Sequence, residues 1–173
     1  QVLGTFGHEV PDLDEPQRLK SLVAAINALR KDGKLLAYHD RSDGGLWAAV
    51  CEMASAGHLG VSLNVDLLVT EGDGISDSRA EYGDSKNWAT QVSERRNERT
   101  LAALFNEELG AVIQVRTSDR DAVMALLREH GLSKHAHSIG KANDRGTVEV
   151  WRDAKSIFSA PLRDLHQAWD DVS

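Results

Sequence analysis

Asp40, Ser42 and Asp43, followed by Gly44 and Gly45, gather two carboxylates, a hydroxyl and an approachable backbone into one short stretch. Carboxylate oxygens are the hard ligands Mg²⁺ takes, and glycines let a bulky anion come close to main-chain N–H groups. The stretch lies between a short apolar run, Leu35–Tyr38, and an alanine-rich apolar run, Leu46–Ala56. Strand, loop and helix in that order put polar side chains at a strand's carboxyl end and unpaired N–H groups at a helix start. Open α/β sheets collect phosphates and their metal ions at such junctions. A capping role explains part of the set, since Ser42 or Asp43 can accept N–H bonds at the helix start. It leaves Asp40 over, too early in the chain to cap the same helix, and that surplus carboxylate points to a metal. His39 abuts the loop, either as a base or phosphate contact or as a hydrogen-bonded strand end.

Around this loop the apolar spacing alternates between helical and strand-like. Asp14 and Pro16 open a helix over Glu15–Lys31, whose Leu19, Leu22, Val23, Ile26 and Leu29 share a face and which Gly33 can close. Val61, Leu63 and Val65 alternate as a half-buried strand, and Ala111–Val115 reads as another. A helix carries Leu101, Leu104 and Phe105, and a second runs Asp119–His130, capped by Ser118 and ended by Gly131. Short strands are expected around Ser138-Ile139, Thr147–Trp151 and Ile157-Phe158, then a helix from Pro161 with Leu162, Leu165 and Trp169 on one side. The predicted fold is an α/β three-layer sandwich, with strands 35–38, 61–65 and 111–115 in one mixed sheet. The middle, Val112–Val115, helix, Ser138-Ile139, has the rhythm of a ferredoxin-like half. Residues 1–13 show no period and read as a lead-in to a domain over 14–173. Thr70–Ser93 mixes glycine, serine and acids without period, which predicts a mobile loop anchored by Trp88.

The composition excludes several functions. Against 20 Lys and Arg stand 27 Asp and Glu, a formal charge of −7, which argues against a nucleic-acid surface. No apolar run reaches the length of a membrane span, and no secretory leader is visible. Cys51 is the single cysteine, so no internal disulfide can form, and a cytoplasmic location is expected. Cys51 lies among apolar helix residues, where a thiol behaves as a small hydrophobe rather than a nucleophile. His130, His135 and His137 lack the thiolate partners of a structural zinc site. No P-loop lysine motif and no Gly-x-Ser-x-Gly elbow is present. Arg95, Arg96 and Arg99 form a basic run, read as a solvated helix start or as a contact for a neighbouring domain or phosphate. The absence of an initiator methionine, and an end in helical pattern, lead us to expect one domain of a longer chain.

Two blocks carry a family resemblance. His39-Asp40-Arg41-Ser42-Asp43-Gly44-Gly45-Leu46, with Glu52-Met53-Ala54 and Ala56-Gly57-His58, resembles the phosphoribosylformylglycinamidine synthases in their large single-chain form. Leu101–Val115, containing Phe105-Asn106-Glu107-Glu108-Leu109-Gly110, is a second and independent match. The resemblance implies the C-terminal α/β unit of the second aminoimidazole ribonucleotide synthetase-like pair. It implies participation in an ATP- and glutamine-dependent ligase that turns formylglycinamide ribonucleotide into the amidine. Carried over by motif position, Asp40 is a Mg²⁺ ligand and Ser42 a contact to a retained ATP or ADP, so both are binding residues rather than catalysts. The implied partners are an N-terminal αβ unit and a glutaminase domain of the same chain, and the isolated piece is expected to be inactive. Alternatives are a non-catalytic scaffold packing against the glutaminase, and a selenophosphate synthetase-like phosphotransferase domain. The 105–110 block disfavours the latter.

Overall fold

Val112 and Ile113 are both buried, yet they enter different cores, because successive strand residues point to opposite faces. A strand covered on both sides requires three layers. The computed structural model, which describes residues 2–5, 16–70 and 85–171, has them. In chain order the elements are β1 (Val2–Thr5), α1 (Pro16–Lys31), β2 (Ala37–Arg41), α2 (Gly45–Gly57), β3 (Gly60–Asn64), α3 (Asp66–Thr70) and α4 (Ser85–Phe105). Then come β4 (Gly110–Gln114), α5 (Arg120–Glu129), β5 (Ala136–Asn143), β6 (Thr147–Arg152), β7 (Lys155–Pro161) and α6 (Leu162–Asp170). The strands form one sheet in the order β2-β4-β1-β5-β3-β6-β7. Its pairs are antiparallel except β3 with β6, so the sheet is mixed, as the apolar spacing predicts.

β1 runs antiparallel to both β4 and β5, so those two strands point the same way with α5 as their crossover. β1 and β2 flank β4 in the same manner, with α1 between them in the chain. Two interleaved split β-α-β units result, so the ferredoxin-like part takes in β2-β4-β1-β5, twice what the middle of the sequence suggested. Ala25, Ile26 and Leu29 of α1 pack with Val123 and Leu127 of α5 over Ile113 on one face. On the other face Leu46, Ala49, Val50 and Ala54 of α2 join Leu68, Val69 and Leu104 over Val61, Leu63, Val112, Val148 and Val150.

Several expectations change in detail. β2 occupies Ala37–Arg41 rather than 35–38, because its pairing with β4 from Ala37↔Gln114 to Arg41↔Gly110 carries the strand through polar residues. At the edge of a sheet such residues can keep one face in water. The lead-in 1–13 contains β1, an interior strand whose four residues are too few to display a period. α4 starts at Ser85, so residues 85–93 are helical where a loop was expected. Residues 71–84, the side chain of Trp88, and the Asp14 cap lie outside the described residues. On α1 the apolar stripe is seated only in part, since Leu19 and Val23 remain exposed. Ser118 falls within a short 3₁₀ turn, Thr117–Asp119, and α5 begins without a side-chain cap.

Candidate functional site

Asp40 is the fourth residue of β2, placed opposite Ala111 of β4, and its side chain is 71% exposed. Alternation puts Asp40 and Tyr38 on one face of the strand and His39 and Arg41 on the other. The Tyr38 hydroxyl is accordingly held above its ordinary pKa, by burial first and then by the charge of Asp40. Ser42, Asp43 and Gly44 follow as an exposed turn at the carboxyl end of the strand. Neither Ser42 nor Asp43 caps α2. The N-cap is Gly44, in the left-handed region at φ 79°, with no side-chain hydrogen bond of its own. The capping reading is therefore corrected, and the reason is steric. The chain turns through two consecutive positive-φ residues, Gly44 and Gly45 (φ 66°), and glycine tolerates that backbone with little strain.

The vacant capping position is filled from far along the chain. The Gly44 N–H donates to Oε1 of Glu107 at 3.2 Å. Glu107 lies in the turn between α4 and β4, and a carboxylate there suits the positive end of the helix dipole. A side chain on Gly45 would strike the backbone of Leu104–Asn106, with its Cβ 2.8 Å from the Asn106 carbonyl oxygen. Arg41 completes the joint. Its side chain is buried, and its Nη2 donates to the Asn106 carbonyl at 2.6 Å, with Nη1 3.8 Å from a Glu108 carboxylate oxygen. Burial draws the Arg41 guanidinium below its ordinary pKa, against the pull of Glu108. Trp47 and Phe105 add a ring contact at 6.5 Å between centroids. The two motif blocks, more than sixty residues apart, thus meet at one place.

His39 lies beneath this turn with both ring nitrogens engaged. Nδ1 is 2.6 Å from the Asp40 carbonyl oxygen and Nε2 is 2.6 Å from Oε2 of Glu52 on α2. Two acceptors are satisfied only by an imidazole carrying two protons. Burial pulls its pKa down, but the Asp40 carbonyl and the bond and charge of Glu52 outweigh it, and the net shift is upward. A raised histidine contributes stability that is fully present below about pH 6.5 and fades as pH rises through the higher folded value. For a pair this exposed the effect is under about 1 kcal/mol. Urea melts of the wild type should weaken between pH 6 and 8, whereas Glu52→Gln should remove most of that dependence. Parallel curves for both proteins would contradict the pairing.

Among the described residues no three His, Cys, Asp or Glu side chains converge on a possible metal position. Asp40 is fit to supply one oxygen ligand, since its carboxylate makes only a long 3.9 Å approach to His39. His130 donates from Nδ1 to the Leu126 carbonyl one helical turn back, at 2.9 Å. Arg96 of the basic run binds Asp153 at 2.6 Å and so ties α4 to the β6–β7 turn. Cys51 is mostly buried, and burial with the nearby Glu52 charge pushes its thiol up to about 12. Almost no thiolate exists at neutral pH, so iodoacetamide should label the native chain at least about tenfold more slowly than the unfolded chain. Equal rates would show that the thiol is open.

Comparison with known proteins identifies the fold. Residues 3–153 match the model of the AIR synthase related protein, C-terminal domain. PurL of Thermotoga maritima complexed with ATP is similar over 94% of this chain and 24% of its own, at 13% identity and a TM-score of 0.65. Phosphoribosylformylglycinamidine synthase II of the same organism is similar over 94% and 25%, at 14% identity and 0.64. HypE of E. coli, a hydrogenase maturation protein, is similar over 93% and 48%, at 22% identity and 0.60. The chain spans about a quarter of the length of the PurL chains it resembles. The family match covers the sheet from within β1 to the end of β6, together with the turn that joins Asp40–Gly45 to Phe105–Gly110, and leaves β7 and α6 beyond it. This chain belongs to the AIR synthase related family, whose C-terminal domain it carries.

Proposed function

We propose that this chain is the C-terminal unit of the second aminoimidazole ribonucleotide synthetase-like pair in a large phosphoribosylformylglycinamidine synthase. In that role it helps hold a Mg-nucleotide and performs no chemistry alone. The observation that carries the reading is the joint between the two motif blocks. β2 and β4 pair from Ala37 to Arg41, and Arg41 and Gly44 bind the 106–108 turn. The likeness to PurL of Thermotoga maritima in complexes with ATP and with ADP supports nucleotide as the ligand.

Asp40 would provide one carboxylate to Mg²⁺, and Ser42 a hydroxyl to the nucleotide. The remaining ligands would come from the N-terminal αβ unit of the longer chain. When bound, the metal would neutralise phosphate charge. What the residues here contribute is an exposed anionic oxygen on a braced strand and an exposed hydroxyl two residues later; the Gly44 and Gly45 N–H groups are already taken, by Glu107 and by the Ser42 carbonyl. The nucleophile of glutamine hydrolysis would belong to the glutaminase, since Cys51 is held as a thiol. The full-length protein should form the amidine from formylglycinamide ribonucleotide with ATP and glutamine, and the 173-residue piece should not. Ammonia release from glutamine by the pure piece would overturn the proposal.

A second reading has one observation in its favour. Identity to HypE is 22%, above that to the PurL chains, and the match covers about half of that protein. A smaller two-unit ATP-using enzyme of the same family would show nucleotide turnover with no response to glutamine.

A further inference from the structure

Arg41 interrupts a stretch of site residues and is the one member of the Asp40–Asp43 segment removed from water. Burying a guanidinium is costly unless bonds and charge offset the loss of hydration. Here it donates to the Asn106 carbonyl, with Glu108 nearby. The residue between those two, Glu107, accepts the Gly44 N–H. The same turn presses so closely on Gly45 that no side chain fits between them. The guanidinium therefore hydrogen-bonds the turn on one side of Glu107 and stands as a buried charge 3.8 Å from the Glu108 carboxylate on the other, and Glu107 closes the start of α2. The sequence hides this arrangement, since the partners are separated by 65 and 63 positions.

We propose that Arg41 is a positioning residue of the nucleotide site: by clamping the 106–108 turn onto the 42–45 loop, it fixes the register in which Asp40 and Ser42 meet their ligands. The proposal rests on the nucleotide reading given above. Arg41 touches no ligand in this scheme. It acts through the strand end it anchors and through Glu107. Partners that orient a binding group without touching the ligand typically change affinity by about tenfold to a hundredfold when removed. Lysine keeps the charge but has no planar fork, so it should restore only part of the grip.

The test uses the full-length protein and Mg-ADP, with affinity read by calorimetry and amide exchange read at Gly44 and Gly45 without nucleotide. Arg41→Met should weaken Mg-ADP binding at least about tenfold and speed exchange at both glycines, with Arg41→Lys intermediate in both. Leu127→Ala, in the core on the opposite face of the sheet, serves as the control for general destabilisation. It should lower the melting temperature while leaving affinity and those two amides unchanged. If Arg41→Met does not fold, Arg41→Lys against Leu127→Ala carries the comparison. Wild-type affinity and exchange in the lysine variant, or equal losses in the control, would overturn the role of Arg41. A wild type that binds no Mg-ADP would instead overturn the nucleotide reading, while the exchange data would still report whether Arg41 clamps the loop.

Discussion

Asp40→Asn in the full-length protein is expected to strip copurifying nucleotide and lower the melting temperature, whereas Asp43→Asn does neither. The Asn side chain keeps the shape of Asp40 but lacks the charge that Mg²⁺ requires of its ligand. A ligand that binds only the folded state stabilises it by RT ln(1 + [L]/Kd), so a site at a hundredfold excess contributes roughly 2.7 kcal/mol. Loss of that term is the expected effect at Asp40. Asp43 is exposed and makes no capping bond to α2, so its replacement should stay within about 0.5 kcal/mol. Equal nucleotide content in the wild type and both variants would rule out Asp40 as a ligand.

Gly45→Ala should be among the most damaging single substitutions in the domain. An alanine there adopts a positive φ, which costs about 1–2 kcal/mol, and its Cβ runs into backbone that cannot rotate away. Forcing the α4 end outward adds about 1–3 kcal/mol of overpacking and parts the two halves of the site. Gly33→Ala is the matched comparison. Gly33 has nearly the same φ, 65°, but open space where the Cβ would go, so only the backbone strain remains, about 1–2 kcal/mol. Denaturant midpoints for the two variants separate the terms. Similar losses at both positions would mean the α4 turn yields readily and does not brace the site.

What the sequence makes legible is what repeats at short range. Helical spacing located α1, α2 and α5, and the paired apolar residues of 61–65 and 111–115 located two strands within a residue of their bounds. The Asp40–Gly45 segment stood out because its residue types suit metal and phosphate. Long-range pairing was hidden. β2 extends to Arg41 only because β4 lies beside it, and β1 is a strand only because β4 and β5 enclose it. Capping misled for the same reason. Local rules named Ser42 and Asp43, but two left-handed glycines turn the chain and Glu107 reaches in from the far side. Arg41 carries no periodic signal, and a charged residue in a polar loop reads as solvent-facing until the fold buries it.

Calorimetric titration of Mg-ADP into this domain, alone and after it is combined with the N-terminal αβ unit proposed to accompany it, bears most directly on the central claim. In the proposed role Asp40 and Ser42 would supply only part of a ligand set, and no group of three or more candidate metal ligands lies among the described residues. The account predicts negligible heat for the domain alone and saturable binding of one nucleotide by the pair, abolished by Asp40→Asn. Binding by the pair that survives Asp40→Asn at wild-type affinity would contradict it.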